Sequence, residues 1–236
     1  MKVSLITHQN CWIYEDCLKD GIYAGFTKPH IQSIDQMSFV LAELKIKAEI
    51  AYMHQIHSEI IHHTCNAGCL TGDGIVSDSS GLMLVVKTAD CMPILLYEKK
   101  GPGIAAVHMG WKSAEKGILG NLPENLSGYR LIAGPSLLPC CYEVGKEFNN
   151  YPSFKECLAP RLNGTTDKAV SGDEKLTFDP VLFIKKSLYP RGVREENFFE
   201  AEICTLCNTL RLPSYRRTKG RERIFNFIIR NNEERK

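Results

Sequence analysis

Long apolar runs are missing from this chain of 236 residues. None reaches the roughly 18 to 20 residues that a membrane-spanning helix needs, so no membrane partner is expected. An export signal is missing as well. Met1–Lys2 leads into only a few apolar residues before His8 and Gln9, without the apolar stretch of a signal peptide. The expectation is a cytoplasmic protein. Surplus charge is lacking too: 29 basic and 27 acidic residues leave a net +2. A nucleic-acid binder would concentrate a basic excess on one face. The one basic concentration, Arg211 to Lys236, is diluted by Glu222, Glu233 and Glu234, which argues against nucleic acid as a partner. There is no internal repeat, low-complexity tract or Pro/Gly/Ser-rich linker, so a single domain over 1–236 is predicted.

Hydrophobic residues make up 44% of the chain, enough for a buried core. The strongest strand signals are Leu82–Thr88, Met92–Tyr97 and Ile104–His108, with Tyr129–Ala133 and Phe198–Cys204 beyond them. Their apolarity is continuous rather than alternating, which predicts strands covered on both faces. Helices are expected at Ser38–Leu44, Ser113–Leu119, Val144–Phe148 and Pro180–Leu188. Strands mixed with helices give an α/β or α+β class with a large mixed sheet.

Cysteine is plentiful. Ten cysteines in a chain without an export signal read as reduced thiols rather than a disulfide framework. Cys91 lies in Thr88-Ala89-Asp90-Cys91-Met92-Pro93, between two core strands. Asp90 there is costly if buried without a partner, and Pro93 is expected to interrupt the backbone ladder. His108 closes a strand ahead of Gly110-Trp111-Lys112-Ser113, and His57 lies in Gln55-Ile56-His57-Ser58. Strand alternation would put Gln55 and His57 on one face and His54 on the other. Two imidazoles and one thiolate suit Zn²⁺, and three protein ligands leave the fourth position for water or substrate. The intervals of 34 and 17 residues carry no spacing signature. Each residue also has an ordinary reading, as a packed cysteine or a satisfied histidine. A rival metal site pairs Cys204-Thr205-Leu206-Cys207 with Cys65 and Cys69 as four thiolates. Cys140 and Cys141, adjacent and on a presumed strand, read as packing.

Five ordered motifs together are more specific than any one. They are Gln55–Ser58, Thr88–Pro93, Ala105–Lys112, Gly134-Pro135 with Cys141–Gly145, and Ser214-Tyr215-Arg216-Arg217 with Gly220-Arg221. In these, over about residues 53 to 230, the chain resembles the bacterial laccase-domain proteins. That family was formerly described as multicopper polyphenol oxidases and is now described as purine nucleoside phosphorylases. The resemblance implies mixed sheets sandwiched by helices, similar to the catalytic domain of the cytotoxic necrotizing factor toxins. It implies a zinc held by His57, Cys91 and His108. It also implies phosphorolysis of adenosine, inosine, guanosine and methylthioadenosine, with adenosine deamination at the same site. The chain departs from the family pattern at Thr27-Lys28-Pro29-His30, at Lys112-Ser113 in place of Arg-Gly, and at Leu212-Pro213 in place of an aromatic pair.

The expected partners are therefore a nucleoside and phosphate, and the expected assembly a monomer or homodimer. Phosphate would be held by Lys112, Arg216 or Arg217, with Gln55 and Tyr215 also binding substrate. Asp90 would orient a ligand histidine or shuttle a proton, completing a catalytic set with His57, Cys91 and His108. One alternative is a metal-free cysteine hydrolase with Cys91 as nucleophile and His108 as base. Another is a phenol-oxidising copper enzyme, disfavoured because seven histidines form no His-x-His pair. Cu²⁺ is accordingly less expected than Zn²⁺.

Overall fold

Apolar runs without alternation can be buried only where both faces of a strand are covered. The computed structural model describes residues 1–160 and 175–231, so Glu233 and Glu234 of the basic tail lie outside the described residues. It opens with β1 (Leu5–Thr7), β2 (Cys11–Tyr14), β3 (Ile22–Thr27) and β4 (Glu49–His54). Then come β5 (Ile61–His63), β6 (Gly68–Thr71), β7 (Gly74–Ser77) and β8 (Leu82–Thr88). The next are β9 (Met92–Glu98), β10 (Ile104–Met109), β11 (Tyr129–Ala133) and β12 (Glu143–Val144). The last are β13 (Leu158–Pro160), β14 (Leu176–Phe178), β15 (Phe198–Glu200) and β16 (Ile224–Arg230). Helices are few: α1 (Glu15–Leu18), α2 (Met37–Glu43), α3 (Trp111–Glu115), α4 (Pro180–Leu188) and α5 (Tyr215–Thr218). None of the described helices is long and apolar enough to cross a membrane.

Two mixed sheets carry the fold, a seven-stranded one ordered β1-β2-β3-β16-β8-β4-β6 and a six-stranded one ordered β15-β11-β9-β10-β7-β5. A small third sheet is ordered β12-β14-β13. Side chains of β8 alternate between two cores. Leu82, Leu84 and Val86 pack between the large sheets with Leu95, Tyr97, Ala106 and Ile132. Met83 and Val85 face the other way, with Phe225, Phe227 and the α2 residues Met37 and Val40. The outer face of the second sheet (Met92, Ile94, Leu96) meets Ala114, Phe183, Ile184 and Leu188. The order of layers is thus helix, sheet, sheet, helix, an α+β arrangement in which the central strands are covered twice. Truncating a fully buried leucine such as Leu84 should cost about 2 to 5 kcal/mol.

The longest helix, α4, is specified locally. The Asp179 side chain accepts from the N–H groups of Val181 and Leu182, both at 2.9 Å, and Pro180 occupies the first turn. Other expected boundaries shift. The helix expected at Ser113–Leu119 starts earlier as α3 and breaks at Gly117, whose φ is +87°, before a 3₁₀ turn at Ile118–Asn121. Val144–Phe148 is not helical throughout: Glu143–Val144 pairs with β14, and only Lys146–Asn150 coils, as 3₁₀. Strand β15 ends at Glu200, and Cys204 makes one isolated bridge to Ser136. Pro93 does not interrupt the ladder but sits inside β9, opposite His108.

Candidate active site

Strands β4, β8 and β10 end, and β9 begins, around one point, and the loops there carry the polar residues. His57 follows β4 with φ +56°, and Asp90 bends the β8–β9 turn with φ +87°. Both are conformations that non-glycine residues adopt only when surrounding bonds hold them. The holding group at His57 is Asp73, fully buried. Its carboxylate accepts from the N–H groups of Ile56 (3.3 Å), His57 (3.1 Å) and Ser58 (2.6 Å), and from the Ser58 hydroxyl (2.7 Å). It also accepts from His108 Nδ1 at 2.7 Å, and the Asp73 carbonyl accepts the His108 N–H at 2.7 Å. One side chain therefore fixes two of the three candidate ligands. With Nδ1 committed to Asp73, His108 presents Nε2 as its free nitrogen.

The Asp90 turn is held differently. Its carboxylate accepts from Thr205 Oγ1 at 2.7 Å and from the Arg216 N–H at 2.6 Å. Asp90 therefore anchors the α5 segment, while the carboxylate that orients a histidine is Asp73, 35 residues before His108. Nothing in the sequence around Asp73 marked it except a carboxylate beside the apolar Gly74–Ser77 strand.

His57, Cys91 and His108 come together, each offering one ligating atom, all within 4.8 Å of one another. Cys91 Sγ lies 3.9 Å from His57 Nε2, and the two imidazoles meet edge to face with centroids 4.9 Å apart. Gly110 permits this approach. A Cβ there would stand 2.8 Å from His57 Cδ2 and 3.2 Å from Cys91 Sγ. Electrostatics within the cluster are strongly coupled. Burial opposes a Cys91 thiolate, yet the neighbouring charge of His108 and hydrogen bonds with His108 and His57 bring the thiol down to about 6. Burial likewise opposes a His108 imidazolium, but the Cys91 thiolate and the Asp73 bond raise it to about 9. Burial would raise Asp73, and its bonds from His108 and Ser58 outweigh it, to about 2.

The cluster forms the floor of a cleft of about 800 Å³. Part of its lining is apolar or aromatic: Trp111, Leu137, Tyr142 and Tyr215. Cations are set among them, namely Lys87, Lys112, Arg216, Lys219, Arg221 and Arg223, with Lys112, Arg216 and Lys219 over the rings of Trp111, Tyr142 and Tyr215. Of the expected substrate residues, Lys112 and Tyr215 line the cleft, Tyr215 half-exposed at 51%. Gln55 lines it too, but its amide is engaged with the Lys87 backbone, accepting from N–H (2.8 Å) and donating to the carbonyl (2.6 Å). It extends the β4–β8 pairing with a side chain because β4 has already ended at His54. The expected alternation therefore stops there, and His54 shares the cleft.

Adjacent arginines diverge. Arg216 reaches the cleft, donates to the carbonyls of Cys141 (3.1 Å) and Glu143 (2.8 Å), and lies over the Tyr142 ring. Arg217 turns away and donates to the carbonyls of Leu212, Thr205 and Leu206 at 3.0, 2.8 and 2.5 Å. Successive helical residues point about 100° apart, so a one-turn helix cannot aim both at one anion. Arg217, expected to hold phosphate, is not among the residues lining the cleft, and its guanidinium braces the 205–212 loop. Arg221 belongs to the Gly220-Arg221 motif, whereas Lys87, Lys219 and Arg223 are additions from the structure; a lysine inside the apolar β8 run is the legible clue.

The rival pairing of the Cys204–Cys207 motif with Cys65 and Cys69 does not form among the described residues. Its partners are Cys140 and Cys141, and the four sulfurs lie within 4.8 Å of one another. Cys140 and Cys141 converge because they lie in a turn after Ser136, where the alternation of a strand does not apply.

A profile described as multi-copper polyphenol oxidoreductase laccase matches residues 32–231. A purine nucleoside phosphorylase of Aquifex aeolicus is 35% identical over 165 residues, 68% of this chain and 71% of that protein. The purine nucleoside phosphorylase YfiH of Escherichia coli K12 is 26% identical over 222 residues, 90% of this chain and 86% of that one. The crystal structure of YlmD from Geobacillus stearothermophilus superposes with a TM-score of 0.81 at 19% identity, covering 98% of this chain and all of the other. The chain belongs to the multi-copper polyphenol oxidoreductase laccase family, whose relatives here are named purine nucleoside phosphorylases.

Proposed function

We propose that the cleft is the active site of a zinc-dependent purine nucleoside phosphorylase. Its substrates would be adenosine, inosine, guanosine and methylthioadenosine, with deamination of adenosine as a second activity. The observation that carries this reading is an open three-donor cluster at the floor of a cation-lined cleft of nucleoside size. Zinc bonds of about 2.0 to 2.3 Å place tetrahedral donors roughly 3.5 Å apart, so these side chains close on an ion with shifts of about an ångström. Two imidazoles and a thiolate form a set that zinc favours. A zinc bound there would supply Lewis acidity and lower the pKa of coordinated water toward about 7.

The protein groups do the rest. Asp73 holds the proton on His108 Nδ1 and keeps Nε2 turned to the cluster. Lys112 and Arg216 place and neutralise phosphate, whose oxygen attacks the ribose C1′ as the C1′–N9 bond breaks and its electrons pass to the purine. Tyr215 and Tyr142 offer faces for the base and ribose. Lys112 keeps the charge of an arginine but not its bidentate fork.

A second reading, a metal-free cysteine hydrolase, rests on one observation. Cys91, His108 and Asp73 form a thiolate, imidazole and carboxylate series. His57, 3.9 Å from the same sulfur, has no task in that mechanism and a direct one as a metal ligand. A copper oxidase would need further histidine clusters; among the described residues the His-containing cluster has two histidines. The test is product analysis with adenosine, with and without phosphate. Adenine and ribose 1-phosphate appearing only with phosphate support the proposal; inosine alone, or no product, would refute phosphorolysis.

A further inference from the structure

Behind the cleft wall a second sulfur cluster has no part in the chemistry above. Cys140 and Cys141 come from the turn after β11, Cys204 and Cys207 from the loop after β15. The two loops are stitched by backbone bonds, Ser136 N–H to Ile203 O at 3.1 Å and Thr205 N–H to Ser136 O at 2.9 Å. All ten cysteines are free thiols, and Cys140 Sγ stands 3.7 Å from Cys207 Sγ, well beyond a covalent S–S bond. Four sulfurs within 4.8 Å of one another match the number and type of ligands in a closed tetrahedral site.

We propose that Cys140, Cys141, Cys204 and Cys207 bind a second zinc ion, a structural one, that ties together the two loops behind the cleft. Binding exchanges the thiol protons for the ion, giving a site with net charge −2. Backbone donors face one of the four sulfurs. The Cys204 sulfur is 4% exposed as a residue and accepts backbone N–H bonds from Leu138, Cys207 and Leu206. Such N–H bonds serve a thiolate and do little for a buried neutral thiol. Arg216 and Arg217 supply the opposite charge, for their guanidinium groups are bonded to the carbonyls of Cys141 and of Thr205 and Leu206. Four protein sulfurs leave no position for substrate, so the site is a clamp. What it clamps is the wall that carries Arg216 and the Asp90–Thr205 bond.

Metal analysis of the Cys91→Ala chain isolates this site, because that substitution removes the thiolate of the first one. Purified with zinc and then desalted, Cys91→Ala should keep one equivalent of zinc. Its cobalt-exchanged form should show intense thiolate-to-cobalt charge transfer and tetrahedral d–d bands. Adding Cys204→Ser, or Cys140→Ser at an exposed position less able to disturb folding, should abolish both signals. A zinc-free Cys91→Ala chain would overturn the proposal. So would zinc that persists in both serine variants, or a Cys140–Cys207 disulfide found by intact mass in protein purified under reducing conditions.

Discussion

The two sulfur clusters of this chain are assembled by opposite means. His57, Cys91 and His108 stand at the ends of strands in the sandwich, and a buried carboxylate, Asp73, fixes two of them from behind. Cys140, Cys141, Cys204 and Cys207 stand on two loops with little strand pairing, joined by the Ser136–Ile203 and Thr205–Ser136 backbone bonds. The strand-built cluster has three donors; the loop-built one has four. Three ligands leave a position for chemistry, and four ligands from two loops suit cross-linking.

The comparison is broken most severely at Cys91. Cys91→Ala should lower phosphorolysis by at least about a thousandfold, since it removes the one anionic ligand of the open cluster. Far-ultraviolet circular dichroism should stay unchanged. Retained activity would separate the strand-built cluster from catalysis. Asp73→Asn comes next: it keeps the shape but removes the charge behind His108. Zinc affinity at this site should fall about 10- to 100-fold, the usual effect of losing a partner behind a metal ligand, as measured by chelator competition. Unchanged affinity would mean that the strand ends alone position the ligands.

Neighbouring arginines provide a smaller and sharper contrast. Lys112→Ala and Arg216→Ala should each cost about 1.5 to 3 kcal/mol in phosphate binding, roughly 10- to 100-fold in apparent affinity. Adenosine deamination, which uses no phosphate, should fall much less. Arg217→Ala should instead lower the melting temperature and leave phosphate affinity in place, because it does not line the cleft and its three hydrogen bonds end on carbonyls of the 205–212 loop. Equal losses for Arg216→Ala and Arg217→Ala in the phosphate assay would contradict the division.

Smallest in energy is a pH effect in the metal-free chain. The Cys91 pKa falls on folding, so its thiolate stabilises the fold at high pH and that contribution is lost as pH falls through about 6. The His108 pKa rises on folding, so its contribution is complete below its ordinary value and lost as pH climbs through about 9. A thiolate–imidazolium pair therefore spans about pH 6 to 9. Alkylation of metal-free wild type, corrected with Cys91→Ala for the other thiols, should show a Cys91 midpoint near 6. A midpoint near the ordinary thiol value of 9.0 would contradict the coupling.

Much of this was readable in the sequence, and the omissions have physical causes. Continuous apolar runs announced β8, β9 and β10, because double coverage leaves no polar face. Residues 224–230 form the central β16, yet Asn226 and the flanking arginines masked it within a segment read as a basic tail. His57, Cys91 and His108 could be grouped through chemistry and motif, whereas Asp73 could not. Its importance depends on five donors that folding brings to it from residues 56–58 and 108. The adjacent cysteines were misjudged for a related reason. A strand would separate them and a turn does not, and Cys140–Cys141 sits where Ser136 leaves the sheet.

The central claim is that the open cluster holds the zinc on which phosphorolysis depends. It is tested most directly by adenosine phosphorolysis in one preparation, zinc-loaded, stripped by a chelator, and reloaded with zinc alone. Activity that disappears on stripping and returns on reloading is the predicted result. Full turnover by stripped protein, with zinc shown absent by elemental analysis, would contradict it.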